Sequence, residues 1–169
     1  MTNFKSLFLQ KKLIIKSVMV LAVILWTSAL YGQKPTDFSG VWIQDNEKSD
    51  DFYKSFNVTC TITQTPLKIT FKNTFAMPGE SETVTRESSF NLDGKEVSKE
   101  EQGGINKESA IWSADKKTLT TKSTRTVGTD VYGSTMAYSL SGDGLVLTQL
   151  TEDINPFGPK VKQVFNKKK

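Results

Sequence analysis

Arg86 and Arg125 carry the only guanidinium groups in this 169-residue chain, and each sits in a run of alternating polarity. With Tyr138 on a third such run, they could orient the polar group of a small ligand, because a guanidinium grips oxyanions through two N–H groups at once. Phe71, Phe90 and Met136 share the same inward parity and would line the apolar part of such a site. Two other readings stand beside this one. The aromatic residues and Met136 could fill a packed interior, as happens in small barrels, or a one-residue register step could place both arginines on the surface. An inward arginine must be paired or face a polar cavity, since an unpaired buried charge is costly.

Much chemistry is excluded by what the chain lacks. It has no histidine and a single cysteine, Cys60. Histidine-based acid–base catalysis, Ser-His and Cys-His pairs and most zinc sites therefore fall away together. Cys60 reads as a small core hydrophobe and cannot form an internal disulfide. The acidic stretch Asp45-Asn46-Glu47-Lys48-Ser49-Asp50-Asp51 alternates oxygen donors but lacks the glycine of a calcium loop. No cofactor, metal or enzymatic activity is expected.

The N-terminus reads as an export leader. Lys5, Lys11, Lys12 and Lys16 precede an uninterrupted apolar run from Val18 to Trp26, followed by small residues up to Gly32. That run suits a signal-peptide core and is too short to span a bilayer. Cleavage is expected after Gly32, with Ala29 as second choice; an uncleaved N-terminal anchor is the alternative. Residues 1–32 thus form a signal peptide, 33–166 one domain, and 167–169 a basic tail. The protein should be periplasmic or secreted, meeting the membrane only in transit. Four of the 22 basic residues and none of the 18 acidic ones lie in the leader, so the remainder is formally neutral. Five of its lysines cluster in the last ten positions, as a solvated tail would. The high isoelectric point therefore gives no support to nucleic-acid binding.

The elements that must carry these residues repeat with period two. Val58, Cys60 and Ile62 alternate with threonines, and Leu67, Ile69 and Phe71 alternate with Lys68, Thr70 and Lys72. This is the pattern of half-buried antiparallel strands. Strands are expected over 38–44, 57–64, 67–74, 82–92, 95–100, 106–113, 118–127, 131–141, 145–151 and 160–166, with at most a helical turn within 47–56. Tight turns at Gln64-Thr65-Pro66, Asp93-Gly94, Ala114-Asp115-Lys116-Lys117 and Ser141-Gly142-Asp143-Gly144 join alternate strand pairs. In an up-and-down meander they fall at one end, with the longer links 45–56, 75–81, 101–105, 128–130 and 152–159 mostly at the other. The expected fold is all-β: an antiparallel up-and-down barrel of about 8–10 strands with a closed base and an open mouth. Ile62, Leu67, Leu92, Leu119, Leu140 and Leu145 should plug the base. Phe75, Met77, Ile154 and Phe157 belong to mouth loops, where they could form a lid or tie the loops down.

Phe38-Ser39-Gly40-Val41-Trp42 followed by Glu47-Lys48-Ser49-Asp50 resembles the opening of exported bacterial lipocalin-like proteins. Leu92-Asp93-Gly94-Lys95-Glu96, the stretch from Trp112 to Thr120, and Tyr138-Ser139-Leu140-Ser141 extend the resemblance over nearly the whole chain after the leader. It implies a calycin-type barrel and no activity. Typical lipocalins stack a late basic residue over the tryptophan; Lys160 and Lys162 are candidates, although parity points both outward. The chain is also similar to fatty-acid-binding proteins, through Phe38 to Trp42 and Asp51-Phe52-Tyr53-Lys54. Those proteins carry two helices after the first strand and a late Arg-x-Tyr pair, where this chain has Gln163-Val164-Phe165. The functional expectation is a non-enzymatic barrel binding a small apolar or amphipathic ligand. The alternative is a packed structural or protein-interaction module of the cell envelope without a cavity.

Overall fold

The computed structural model describes residues 33–76, 82–155 and 158–169. The leader expected over 1–32 lies outside them, as do Met77 and Phe157. Ten strands run in chain order: β1 (Gly40–Gln44), β2 (Asn57–Gln64), β3 (Lys68–Ala76), β4 (Thr83–Asn91), β5 (Val97–Glu101), β6 (Gly104–Trp112), β7 (Thr118–Val127), β8 (Asp130–Leu140), β9 (Val146–Asp153) and β10 (Lys160–Lys167). A four-residue helical turn, α1 (Asp51–Lys54), lies between β1 and β2. Every consecutive pair except β4 and β5 is hydrogen-bonded antiparallel, and β1 closes the wall by pairing with β10. The wall is an up-and-down antiparallel barrel with a single seam between β4 and β5.

The tight turns do share one end. Two of them use the same device. Ser113 Oγ donates to Asp115 Oδ1 at 2.6 Å and accepts from Thr118 N at 2.9 Å. Ser141 Oγ donates to Asp143 Oδ1 at 2.5 Å and accepts from Val146 N at 2.9 Å. A serine two residues before an aspartate thus replaces backbone hydrogen bonds at the reversal, as local side-chain acceptors do in turns. The third turn residue after each serine, Lys116 or Gly144, has positive φ, at 57° and 71°. That conformation is open to glycine and mildly strained for lysine.

The core sits at this end. Phe38, just before β1, is fully buried and stacks on Trp112 with ring centroids 5.8 Å apart. Its carbonyl accepts the indole N–H of Trp42 at 2.9 Å. Phe71 stacks on Tyr138 at 4.6 Å and meets Phe90 edge-on at 6.2 Å. Ile62, Ile69, Leu119, Leu147 and Phe165 complete the plug. Of the leucines expected there, Leu119 is buried, and Leu92 and Leu140 pack against the core. Leu67 and Leu145 do not belong to it: they are 78% and 45% exposed. Both fall in the reversals themselves, where the chain has left the strand and parity no longer sets side-chain direction.

The last strand also corrects the expected tail. β10 runs on to Lys167, whose Nζ lies 5.1 Å from the centroid of the Trp42 ring. Register explains this, since Trp42 and Lys167 face each other across β1 and β10. Lys160 and Lys162 sit at the opposite end of the strand, paired with Glu152 and Leu150 of β9.

Candidate functional site

Above the plug the inner face becomes mixed in polarity and the barrel opens. Inner positions near the mouth are Phe75 on β3, Val84 and Arg86 on β4, Ser134 on β8, Thr151 and Asp153 on β9, and Val161 on β10, by the same parity that buries Phe71, Phe90, Tyr138, Leu147 and Phe165. α1 lies across this end and divides it into two openings. One, of about 410 Å³, is lined by Phe52, Tyr53, Phe56, Phe75, Glu82, Val84 and Arg86. The other, of about 280 Å³, is lined by Phe52, Tyr53, Ser134, Thr151, Asp153, Pro159 and Val161. The first is mostly apolar with one charge of each sign at its edge. The second sets hydroxyls and a carboxylate against an apolar wall.

α1 is a single turn and could not hold this position by helix propensity, since short helices are marginal alone. It is held by side chains of the barrel. Gln44 Nε2 donates toward the carbonyls of Tyr53 at 2.7 Å and Phe56 at 3.0 Å. The preceding loop is strapped to β10: Asp50 N donates to Lys162 O at 2.9 Å, and Val164 N donates to Ser49 Oγ at 3.0 Å. This strapping presents Phe52, 64% exposed, and the half-buried Tyr53 to both openings.

The six residues singled out from the sequence divide among three places. Phe71, Phe90 and Tyr138 lie in the packed plug, and Met136 is partly buried against it. The Tyr138 hydroxyl donates to Met136 Sδ at 3.2 Å, and burial raises its pKa well above the ordinary tyrosine value. Arg125 is on the inner face but engaged with the wall. Its guanidinium donates to Asn106 Oδ1 at 3.2 Å and to the carbonyls of Glu101 at 3.3 Å and Gln102 at 3.1 Å. It thereby fixes the β5–β6 reversal. Arg86 alone of the six lines an opening. Cys60 is buried, and its thiol is pushed up to about 12 by desolvation, which disfavours the reactive thiolate.

No family model matches the chain, and no curated protein sequence matches it. Solved structures do. Human cRBP IV superposes with a TM-score of 0.55 at 17% identity, over 79% of this chain and all of that one. A REP1-NXSQ fatty acid transporter superposes with a TM-score of 0.52 at 13% identity, over 79% of this chain and 97% of that one. Secretory abundant heat soluble protein 4 from Ramazzottius varieornatus gives 0.52 at 16% identity, over 82% and 100%. The fold is that of the calycin barrels. In this barrel the connection between the first two strands holds only the four-residue α1.

Sequence reasoning missed Phe52, Tyr53, Phe56 and Val84. Aromatic residues at 52, 53 and 56, just before a strand, were the available signal. Phe75, expected in a mouth loop, lines the first opening from the end of β3. Ile154 lies instead in a separate groove with Val131, Tyr132 and Asn155.

Proposed function

We propose that this protein is a non-enzymatic carrier barrel that takes a small apolar or amphipathic ligand at its mouth. The observation that carries the proposal is the opening of about 410 Å³ walled by Phe52, Tyr53, Phe56, Phe75 and Val84, with Arg86 at its edge. Concave apolar surface with a few polar groups is the ordinary form of a small-molecule site. Arg86 would meet an anionic or polar group left at the rim. A similarly folded structure is described as a fatty acid transporter, which supports a ligand of this class. Export by residues 1–32 to the periplasm or beyond belongs to the same proposal. A mature N-terminus at Gln33, read by mass spectrometry of protein from its own host, tests it.

Titration with the neutral dye Nile red tests the binding site. Saturable, blue-shifted emission is expected, weakened about tenfold by Val84→Asp, because that change puts a charge where an apolar contact was made. Linear, unsaturable emission would sink the proposal. It would select the second reading, a packed interaction module, which the stacking of Phe71 on Tyr138 favours by filling the lower interior.

A further inference from the structure

The two openings at the mouth differ in charge. The first has Arg86 and Glu82, which offset each other. Among the described residues, Asp153 is the one charged group lining the second, and no described lysine or arginine pairs with it. The lysines next to its lining residues are turned elsewhere. Lys160 pairs with Glu152 and Lys54 with Asp51, the latter at 2.7 Å, while Lys160 and Lys162 share the outward parity of β10. The Asp153 carboxylate is also held in place. Its Oδ1 accepts from Asn155 N at 2.9 Å, and Gly158 N closes the same turn on Asn155 O at 2.8 Å. A Cβ at Gly158 would collide with the Asp153 side chain, so the turn packs directly against it. No described residue donates to Oδ2.

Ser134, the register partner of Asp153, and Thr151, two residues earlier on the same face of β9, bring hydroxyl oxygens to the same opening. The rest of its wall includes Val161 and the Phe52–Tyr53 pair of α1, whose ring planes stand at 87° with centroids 5.1 Å apart. Such an aromatic corner takes an alkyl chain and attracts a cation over a ring face. A ligand carboxylate here would meet Asp153 with no cation to offset the repulsion. A hydrated metal ion needs several oxygen ligands, and no group of three or more acidic, cysteine or histidine residues exists among the described residues. An ammonium supplies both the positive charge and three N–H donors. We propose that the second opening is a separate binding site for a primary alkylammonium. Asp153 is its counter-ion, Ser134 and Thr151 accept further N–H groups, and Phe52 and Tyr53 cover the alkyl chain. The site does not depend on the first opening taking a ligand.

The test is calorimetric titration of the full chain with hexylammonium and with hexanol at low salt, with Asp153→Asn alongside the native sequence. Saturable hexylammonium binding is expected, about tenfold tighter than hexanol, and Asp153→Asn should weaken it about tenfold, the value of one charge-assisted contact. Added salt should weaken hexylammonium and leave hexanol unchanged. Equal affinity for the two probes, or an Asp153→Asn variant that binds hexylammonium like the native chain, overturns the inference. So does displacement of hexylammonium by calcium at a lower concentration than its own, which would make the carboxylate a metal ligand. Because the variant could fail to fold, the side-chain carboxyl carbon resonance of Asp153 in the native protein gives an independent readout. It should shift with the calorimetric midpoint, and a stationary resonance at saturating hexylammonium overturns the assignment. Nile red is read separately. Absence of hexylammonium binding with saturable dye binding overturns this inference and leaves the carrier proposal standing.

Discussion

The ammonium of Lys167 lies over the indole of Trp42, 5.1 Å from its centroid, and the backbone of Gly40 is what leaves room for it. A Cβ at Gly40 would stand 2.9 Å from Lys167 Cε, and the residue has φ of +141°, a conformation that side chains avoid. The Gly-x-Trp step and the last strand thus form one joint, holding together the two strands that close the wall.

Gly40→Ala should cost about 1–3 kcal/mol, mainly through the backbone conformation, because the flexible lysine stem can move aside. Lys167→Ala should cost about 0.5–2 kcal/mol through the lost cation–π contact. Chemical denaturation of both variants and of the double variant checks this. The double variant should recover only the small steric part of the Gly40 effect. Full recovery would mean that φ carries none of it.

Arg125→Ala should loosen the β5–β6 reversal and leave Nile red binding at the mouth intact. Three hydrogen bonds end on that guanidinium, at Asn106, Glu101 and Gln102, and their loss should cost about 1–3 kcal/mol. Hydrogen exchange over residues 97–112 should accelerate more than over β1 and β10. Uniform acceleration, or loss of dye binding with protection unchanged, would place Arg125 in the ligand site instead.

Arg86→Glu should weaken an anionic amphiphile such as decanoate several-fold, and the effect should shrink as salt is raised, because the rim is solvated and screened. Decanol, which carries no charge for Arg86 to meet, should respond little. Equal losses for both would show that Arg86 shapes the opening by packing alone.

Stability should fall as the medium becomes alkaline. The Cys60 thiol is pushed up from 9.0 to about 12 by burial, and Tyr138 is displaced in the same direction. Between about pH 9 and pH 12 the unfolded chain releases the Cys60 proton and the native chain keeps it, so the unfolded state binds fewer protons and gains ground. The expected slope is about 1 kcal/mol per pH unit for this one group. Cys60→Ala should flatten the denaturation free energy over pH 9–10, and the residual decline above that range should belong to tyrosine. A Cys60→Ala profile as steep as the native one would refute the assignment.

The wall of the barrel was legible because its signals are local. Alternation of Val58, Cys60 and Ile62 with threonines, and of Leu119 and Thr121 with Thr120 and Lys122, places each strand within two or three residues of its observed bounds. The two Ser-x-Asp turns were visible as turn chemistry, although their shared hydrogen-bond design was not. What escaped depends on partners far away in the chain. Lys167 meets Trp42 across 125 positions, and Gln163 meets Gln44 across 119. Neither pairing can be read until the register of β1 against β10 is known. Parity gave the correct face for Arg125 and Tyr138, but not whether a residue on that face lies in the plug, in the wall or in the opening. Depth along the barrel decides that, and depth is set by strand stagger. Two of the three acceptors of Arg125 are backbone carbonyls, which carry no sequence signal at all.

Packing is concentrated at the base, where Phe38, Trp42, Phe71, Trp112 and Tyr138 touch one another, while Val84 and Phe52 stand 58% and 64% exposed at the other end. The base therefore carries the folding free energy and the rim carries almost none of it. On the proposed reading, substitutions at the rim should change which molecules are held with little effect on whether the chain folds, so one scaffold could acquire a new cargo by few and inexpensive steps.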